Sequence, residues 1–177
     1  MIELTGTLKE RLNEAIRLSY TDVTQEELEH FRSVYEQAKI ELLPSAVEFY
    51  KQYGGVFRNY HLVLSKPEYN HDVYLAFYID SQYEEENIYR MLEGVMDSDF
   101  FDRVKSVAKQ NVCPVAQIGY YYPADVYIGE NGLLYCLYEF QEQIEFFNTP
   151  SEILESYLKN NIPVGIEERF VDNHHGE

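Results

Sequence analysis

Two sets of carboxylates and one run of phenols are the residues of this chain whose spacing could do chemistry: Glu84, Glu85 and Glu86; Asp97, Asp99 and Asp102; and Tyr120, Tyr121 and Tyr122. Acids two and three residues apart suggest a hard-cation site. A calcium loop, however, needs a glycine at its turn and a terminal bidentate Glu, and neither completes the Asp97–Asp102 group. No metal or other cofactor is therefore expected. Both acid sets also fall where a helix begins, and carboxylates there are stabilised by the helix dipole with no ligand at all. The functional alternative is a landing surface for a basic partner. The three tyrosines cannot share a face, since side chains alternate along a strand. They either fill a sheet surface or form a contact patch, a use to which Tyr is suited by its large area and its hydroxyl.

Other chemistry finds little support. There is no Gly-x-Ser-x-Gly elbow, no phosphate-cradling glycine loop and no pair of histidines at helical spacing. His30, His61, His71, His174 and His175 stand in no recognisable relation to a nucleophile, so no catalytic residue is assigned. Cys113 and Cys136 lie far apart in apolar surroundings, which suits two buried, reduced thiols and not a metal or redox pair.

The charge is regional. The chain carries 31 acidic and 14 basic residues, a formal charge of −17. Asp80 to Asp102 holds eight acids and one base, and Gln110 to Leu158 holds seven acids and no base; together these stretches supply 14 of the 17 excess charges. Such a surface repels nucleic acid and anionic lipid and steers a cationic partner. The N-terminus, MIELTGTLKERL, lacks a signal-peptide layout, and no apolar run approaches the roughly 20 residues of a membrane span, so a cytoplasmic protein is expected.

The elements that must hold these residues read as follows. At 177 residues, one domain is expected, able to bury roughly 70% of its unfolded surface. Thr7 with Glu10 and Thr24 with Glu27 are capping boxes that open two N-terminal helices within residues 7–42. Pro44 starts a third helix and Gly54-Gly55 stops it. YHLVL and VYLAFYI suggest a hairpin. Ser81 with Glu84 opens an acidic helix ended by Gly94, and another begins near Ser98. VAQIGYYY, DVYIG and LLYCLYEF are strands, with Pro114 at the sheet's edge and a hairpin turn at Asn131-Gly132. IEFF is a fourth strand, Thr149-Pro150 starts a last helix, and residues 167–177 read as a frayed, disordered tail. Helices before and around strands indicate an α+β domain with a mainly antiparallel central sheet and flanking helices.

LLPSAVEFYKQYGG, then PVAQIGYYYPADVYIGENGLLY, then TPSEILESYL resembles the SUKH superfamily over roughly Leu42 to Leu158. Leu43, Pro44, Phe49, Tyr50, Gly54 and Gly55 look like its opening helix, Pro114, Ile118 and Gly119 like its central strand, Gly132 with Tyr135 like its hairpin, and Ile153 with Leu158 like its closing helix. The helical, acidic stretch from Asp80 to Asn111 and the N-terminal helices look like variant immunity subgroups. The resemblance implies a single SUKH-like domain over 1–177 that acts without enzymatic chemistry. Its implied role is that of an intracellular immunity protein that neutralises a cognate bacterial toxin, often a nuclease, by occlusion. The charge points to a toxin with a basic surface, contacted by Glu84–Glu86, Asp97, Asp99, Asp102 and Tyr120–Tyr122, and to no nucleic acid or membrane. The same fold would also suit an interaction scaffold or regulator of an endogenous partner. A hydrolase or metal enzyme with dispersed residues is the remaining alternative.

Overall fold

The computed structural model describes residues 1–66, 73, 75–77, 85–118, 124–138 and 143–169. Its helices begin where short-range chemistry places them. In α1 (Leu8–Ser19), the Glu10 amide donates to Thr7 Oγ1 at 3.3 Å while Glu10 Oε2 accepts from the Thr7 amide at 2.8 Å. Thr24 and Glu27 repeat this exchange at the start of α2 (Gln25–Gln37). Pro44 opens α3 (Pro44–Tyr53), Ser98 caps α5 (Asp99–Ala108), and Thr149 with Pro150 starts α6 (Pro150–Leu158). Between them lies α4 (Glu85–Met96).

The strands form two antiparallel sheets, which makes this an α+β fold. The smaller has the order β1 (Ile2–Glu3), β8 (Pro163–Glu168), β2 (Tyr60–Leu64). The larger runs β3 (Leu75–Phe77), β4 (Val112–Ile118), β5 (Ala124–Gly129), β6 (Leu134–Tyr138), β7 (Glu145–Phe147) in sequence order. One antiparallel bridge, the Leu62 amide donating to the Val73 carbonyl at 2.8 Å, ties β2 to the chain entering β3.

Strand alternation sorts the larger sheet into two faces. Val126, Ile128, Leu134 and Cys136 join the main core with Leu12, Phe31, Tyr35, Tyr50, Ile153 and Ile166. Tyr127, Tyr135 and Leu137 point the other way and meet Val104 of α5 in a second, smaller cluster. The N-terminal helices are thus part of the main core, and α5 covers the opposite face.

Gly55 and Gly132 are demanded by geometry. A methyl at Gly55 would stand 1.6 Å from the Thr21 carbonyl oxygen, because the Thr21 amide donates to the Gly55 carbonyl at 3.0 Å across the closest approach of two loops. Gly132 has φ +80° in the β5–β6 turn.

Four local expectations are revised. The YHLVL and VYLAFYI runs share only the Leu62–Val73 bridge among the described residues; β2 pairs instead with β8, and β3 with β4. Gly94 does not end its helix, which continues to Met96, since a glycine inside a helix costs only about 1 kcal/mol and the Ser98 hydroxyl closes the turn by donating to the Val95 carbonyl. Pro114 lies within β4, between β3 and β5 in the sheet, at the bulge where Val115 is the extra residue. Glu167 and Glu168 end β8, so the tail expected from residue 167 begins too early; its last eight positions, 170–177, lie outside the described residues.

Candidate functional site

The corner between α4 and α5 is where the structure displays the expected acids. Ser98 builds the corner: its hydroxyl oxygen accepts from the Phe101 amide at 3.3 Å and donates to the Val95 carbonyl at 2.8 Å, and the Asp97 amide donates to the Glu93 carbonyl at 2.9 Å. Around it Glu93, Asp97, Asp99 and Asp102 are all exposed, with Asp99 and Asp102 in the first turn of α5. The helix dipole favours carboxylates at that position, so the cluster forms without needing to repel itself apart.

Glu85 and Glu86 are placed in the first turn of α4 as backbone, while Glu84 and Tyr120, Tyr121 and Tyr122 lie outside the described residues. From Glu85 to Met96 the helix rises ~17 Å, so the two acid sets stand at opposite ends of α4 and do not form one cluster. Beyond the corner the charge changes sign: Arg103, Lys105 and Lys109 follow along α5. The negative field of this segment is therefore concentrated in α4 and the first turn of α5.

Exposed apolar groups accompany the acids. Phe100 is 40% exposed and Val107 52% on α5, with the Arg103 guanidinium 5.8 Å from the centre of the Phe100 ring. Phe146 of β7 is 66% exposed and pairs across the strands with Tyr135, on the face that α5 covers. Helical spacing marks Phe100, Arg103 and Val107 as one stripe; that this stripe faces solvent while Phe101 and Val104 pack inward depends on how α5 docks.

That docking is fixed at its C-terminal end. Gln110 donates to the Tyr135 hydroxyl at 3.0 Å and accepts from the Asn131 amide at 3.0 Å, while Asn111 donates to Glu130 at 2.9 Å. The helix is latched to the β5–β6 turn. Beneath it Tyr127 is fully buried, packs against Phe101 at 6.2 Å between ring centres, and has a hydroxyl with no hydrogen-bond partner among the described residues. Burial pushes its pKa well up, and Asp125 adds to the shift. Tyr127 and Tyr135 of this sheet are therefore interior groups and not a displayed surface.

The thiols are buried and unpaired with each other. Burial raises Cys113 to about 12 and Cys136 further, which keeps both protonated and poorly nucleophilic near neutrality. Among the described residues no three His, Cys, Asp or Glu side chains converge to hold a metal ion, and no helix is long and apolar enough to cross a membrane. The α4–α5 corner offers carboxylates beside an exposed aromatic ring on a rigidly docked helix, an arrangement suited to binding a cationic surface.

No protein-family model matches the chain, and no curated protein or solved structure shows significant similarity to it.

Proposed function

We propose that this chain is an intracellular immunity protein that binds a cognate bacterial toxin with a basic surface, often the surface of a nuclease, and neutralises it by occlusion. The observation that supports the reading most is the α4–α5 corner, where four exposed carboxylates flank the partly exposed Phe100 on a helix locked to the sheet. A nuclease must present cations to phosphate, and an inhibitor that meets them with carboxylates gains association rate and specificity. The exposed ring supplies apolar area that charge alone lacks. The SUKH resemblance supplies the biological setting, and the protein would act stoichiometrically in the cytoplasm.

Charge reversal tests the reading. The Asp97→Lys, Asp99→Lys, Asp102→Lys triple variant is measured by stopped-flow mixing with the cognate toxin domain, at low and at high salt. Association should slow by tenfold or more at low salt, with the difference shrinking at high salt as charges are screened. An unchanged association rate would remove this corner from the interface.

A further inference from the structure

We propose that Asn131 is a site of spontaneous deamidation, in which the Gly132 amide nitrogen attacks the Asn131 side-chain amide, and that the latch of Gln110 onto the β5–β6 turn sets its rate. Asn131 is the only asparagine of the chain that a glycine follows. That neighbour matters, because the nitrogen that closes the ring is least hindered when its own residue carries no Cβ. Both residues are exposed, and a Cβ built at Gly132 would meet nothing within 4 Å, so water and base reach the pair.

The reaction balances without a cofactor. The Gly132 nitrogen gives its proton to a solvent base and bonds to Asn131 Cγ; the bond from Cγ to Nδ2 breaks, and Nδ2 leaves as ammonia after taking up a proton. Water then opens the succinimide. Its attack at Cγ gives aspartate, and its attack at the backbone carbonyl carbon gives isoaspartate, in which the chain runs through Cβ and Cγ. Each product is more acidic than the parent, and nothing is oxidised or reduced.

The fold acts on the first step. The Gly132 N–H that must ionise is donated to the Gly129 carbonyl at 2.9 Å, and Asn131 Oδ1 accepts from the Leu133 amide at 3.0 Å. The Leu133 contact draws electron density from Cγ and favours attack, but attack waits on the Gly132 proton, which the turn withholds. A hydrogen-bonded amide releases its proton to solvent through local opening, so the rate follows how often the turn opens. The segment after α5 controls that opening. Gln110 accepts from the Asn131 amide at 3.0 Å and donates to the Tyr135 hydroxyl at 3.0 Å, while the Asn111 carbonyl accepts from the Glu130 amide at 3.3 Å.

This chemistry is independent of any partner, and it is followed on the intact protein at pH 8 by peptide mapping with mass spectrometry, anion exchange separating the acidic products. The parent is compared folded and unfolded in guanidinium chloride, and Gln110→Ala is compared with the folded parent. Asn131 should convert to aspartate and isoaspartate in the unfolded chain, and at least about tenfold more slowly in the folded one. Gln110→Ala should speed the folded reaction about threefold or more. Cys113 and Cys136, both buried, should stay closed to a thiol reagent in the same sample, which places the gain in the turn and not in global unfolding. If Gln110→Ala opens the thiols, Tyr135→Phe, which removes only the hydroxyl that Gln110 donates to, is judged by the same criteria. Conversion at Asn131 no faster than at the other asparagines of the unfolded chain would remove the site. Equal rates in the folded and unfolded parent, or a variant with closed thiols that converts at the parent's rate, would overturn control by the latch.

Discussion

The hydroxyl of Tyr35, on α2, donates to the carbonyl of Pro114, in β4, at 2.5 Å, with both residues fully enclosed in the core. It joins the N-terminal helices to the larger sheet at the bulge where Val115 is the extra residue. Phe31 packs against the Tyr35 ring at 4.8 Å and is itself stacked on Tyr50 at 4.3 Å, so the donor's ring leans on a packed aromatic pair. Tyr35→Phe keeps the ring and removes the donor, leaving the buried Pro114 carbonyl the weaker Cys113 thiol at 3.7 Å as its side-chain donor. Chemical unfolding should show a loss of about 1–3 kcal/mol at an unchanged dependence on denaturant. A loss below about 0.5 kcal/mol would mean that the bond contributes little to the joint.

Gly55 makes the sharpest backbone demand. Its missing Cβ is what lets the Thr21 carbonyl approach, and Thr21 also donates its hydroxyl to the Gly55 carbonyl at 3.1 Å. Gly55→Ala forces the 53–57 turn away from the loop between α1 and α2, and it should destabilise by 2 kcal/mol or more, or prevent folding. Gly94→Ala is the matched control: a Cβ there meets nothing within 4 Å, and the helix continues through it. It should stabilise by up to about 1 kcal/mol. Thermal unfolding of both variants checks the pair.

The buried thiols set an alkaline limit. Burial pushes the Cys113 thiol up to about 12 and raises Cys136, Tyr35 and Tyr127 in the same direction. A thiol in the unfolded chain ionises near 8.5. The folded state holds these protons more tightly, so the stability they contribute is complete below about pH 8.5 and is lost as pH rises towards 12. Each thiol that ionises only on unfolding costs about 1.4 kcal/mol per pH unit in that window. Urea midpoints should be level from pH 7 to 8 and fall from about pH 9, with a shallower fall in the Cys113→Ala, Cys136→Ala protein. At pH 8 an aromatic disulfide reagent should label neither thiol until denaturant is added. A midpoint level up to pH 10.5 would contradict the burial argument.

The elements most legible in the sequence are those fixed by contacts three or four residues apart. Thr7 with Glu10, Thr24 with Glu27, and Thr149 before Pro150 mark helix starts because their hydrogen bonds close locally, and Asn131-Gly132 marks a turn because Gly132 takes the positive φ that closes it. The pairing of β2 with β8 is set by contacts about a hundred residues apart. Pro163–Glu168 contains a proline, a glycine and two acids, a composition with no strand signal, so its role is evident only once Ile166 is seen buried between Ile2 and Leu62. The same division runs through the candidate site. That Asp99 and Asp102 sit at a helix start follows from Ser98, whereas the exposure of Phe100 beside a buried Val104 follows from the latch of Gln110 onto the β5–β6 turn, which no local pattern encodes.

The most direct test of an immunity role is growth rescue. The chain is co-expressed with the candidate cognate toxin domain, and growth is followed together with the stoichiometry of any purified complex. If the chain neutralises a toxin by occlusion, the domain alone arrests growth, co-expression restores it, and the two proteins elute as a stoichiometric complex whose toxin activity is blocked. A domain that is harmless alone, or one that still arrests growth in the presence of equimolar folded chain, would contradict the proposal.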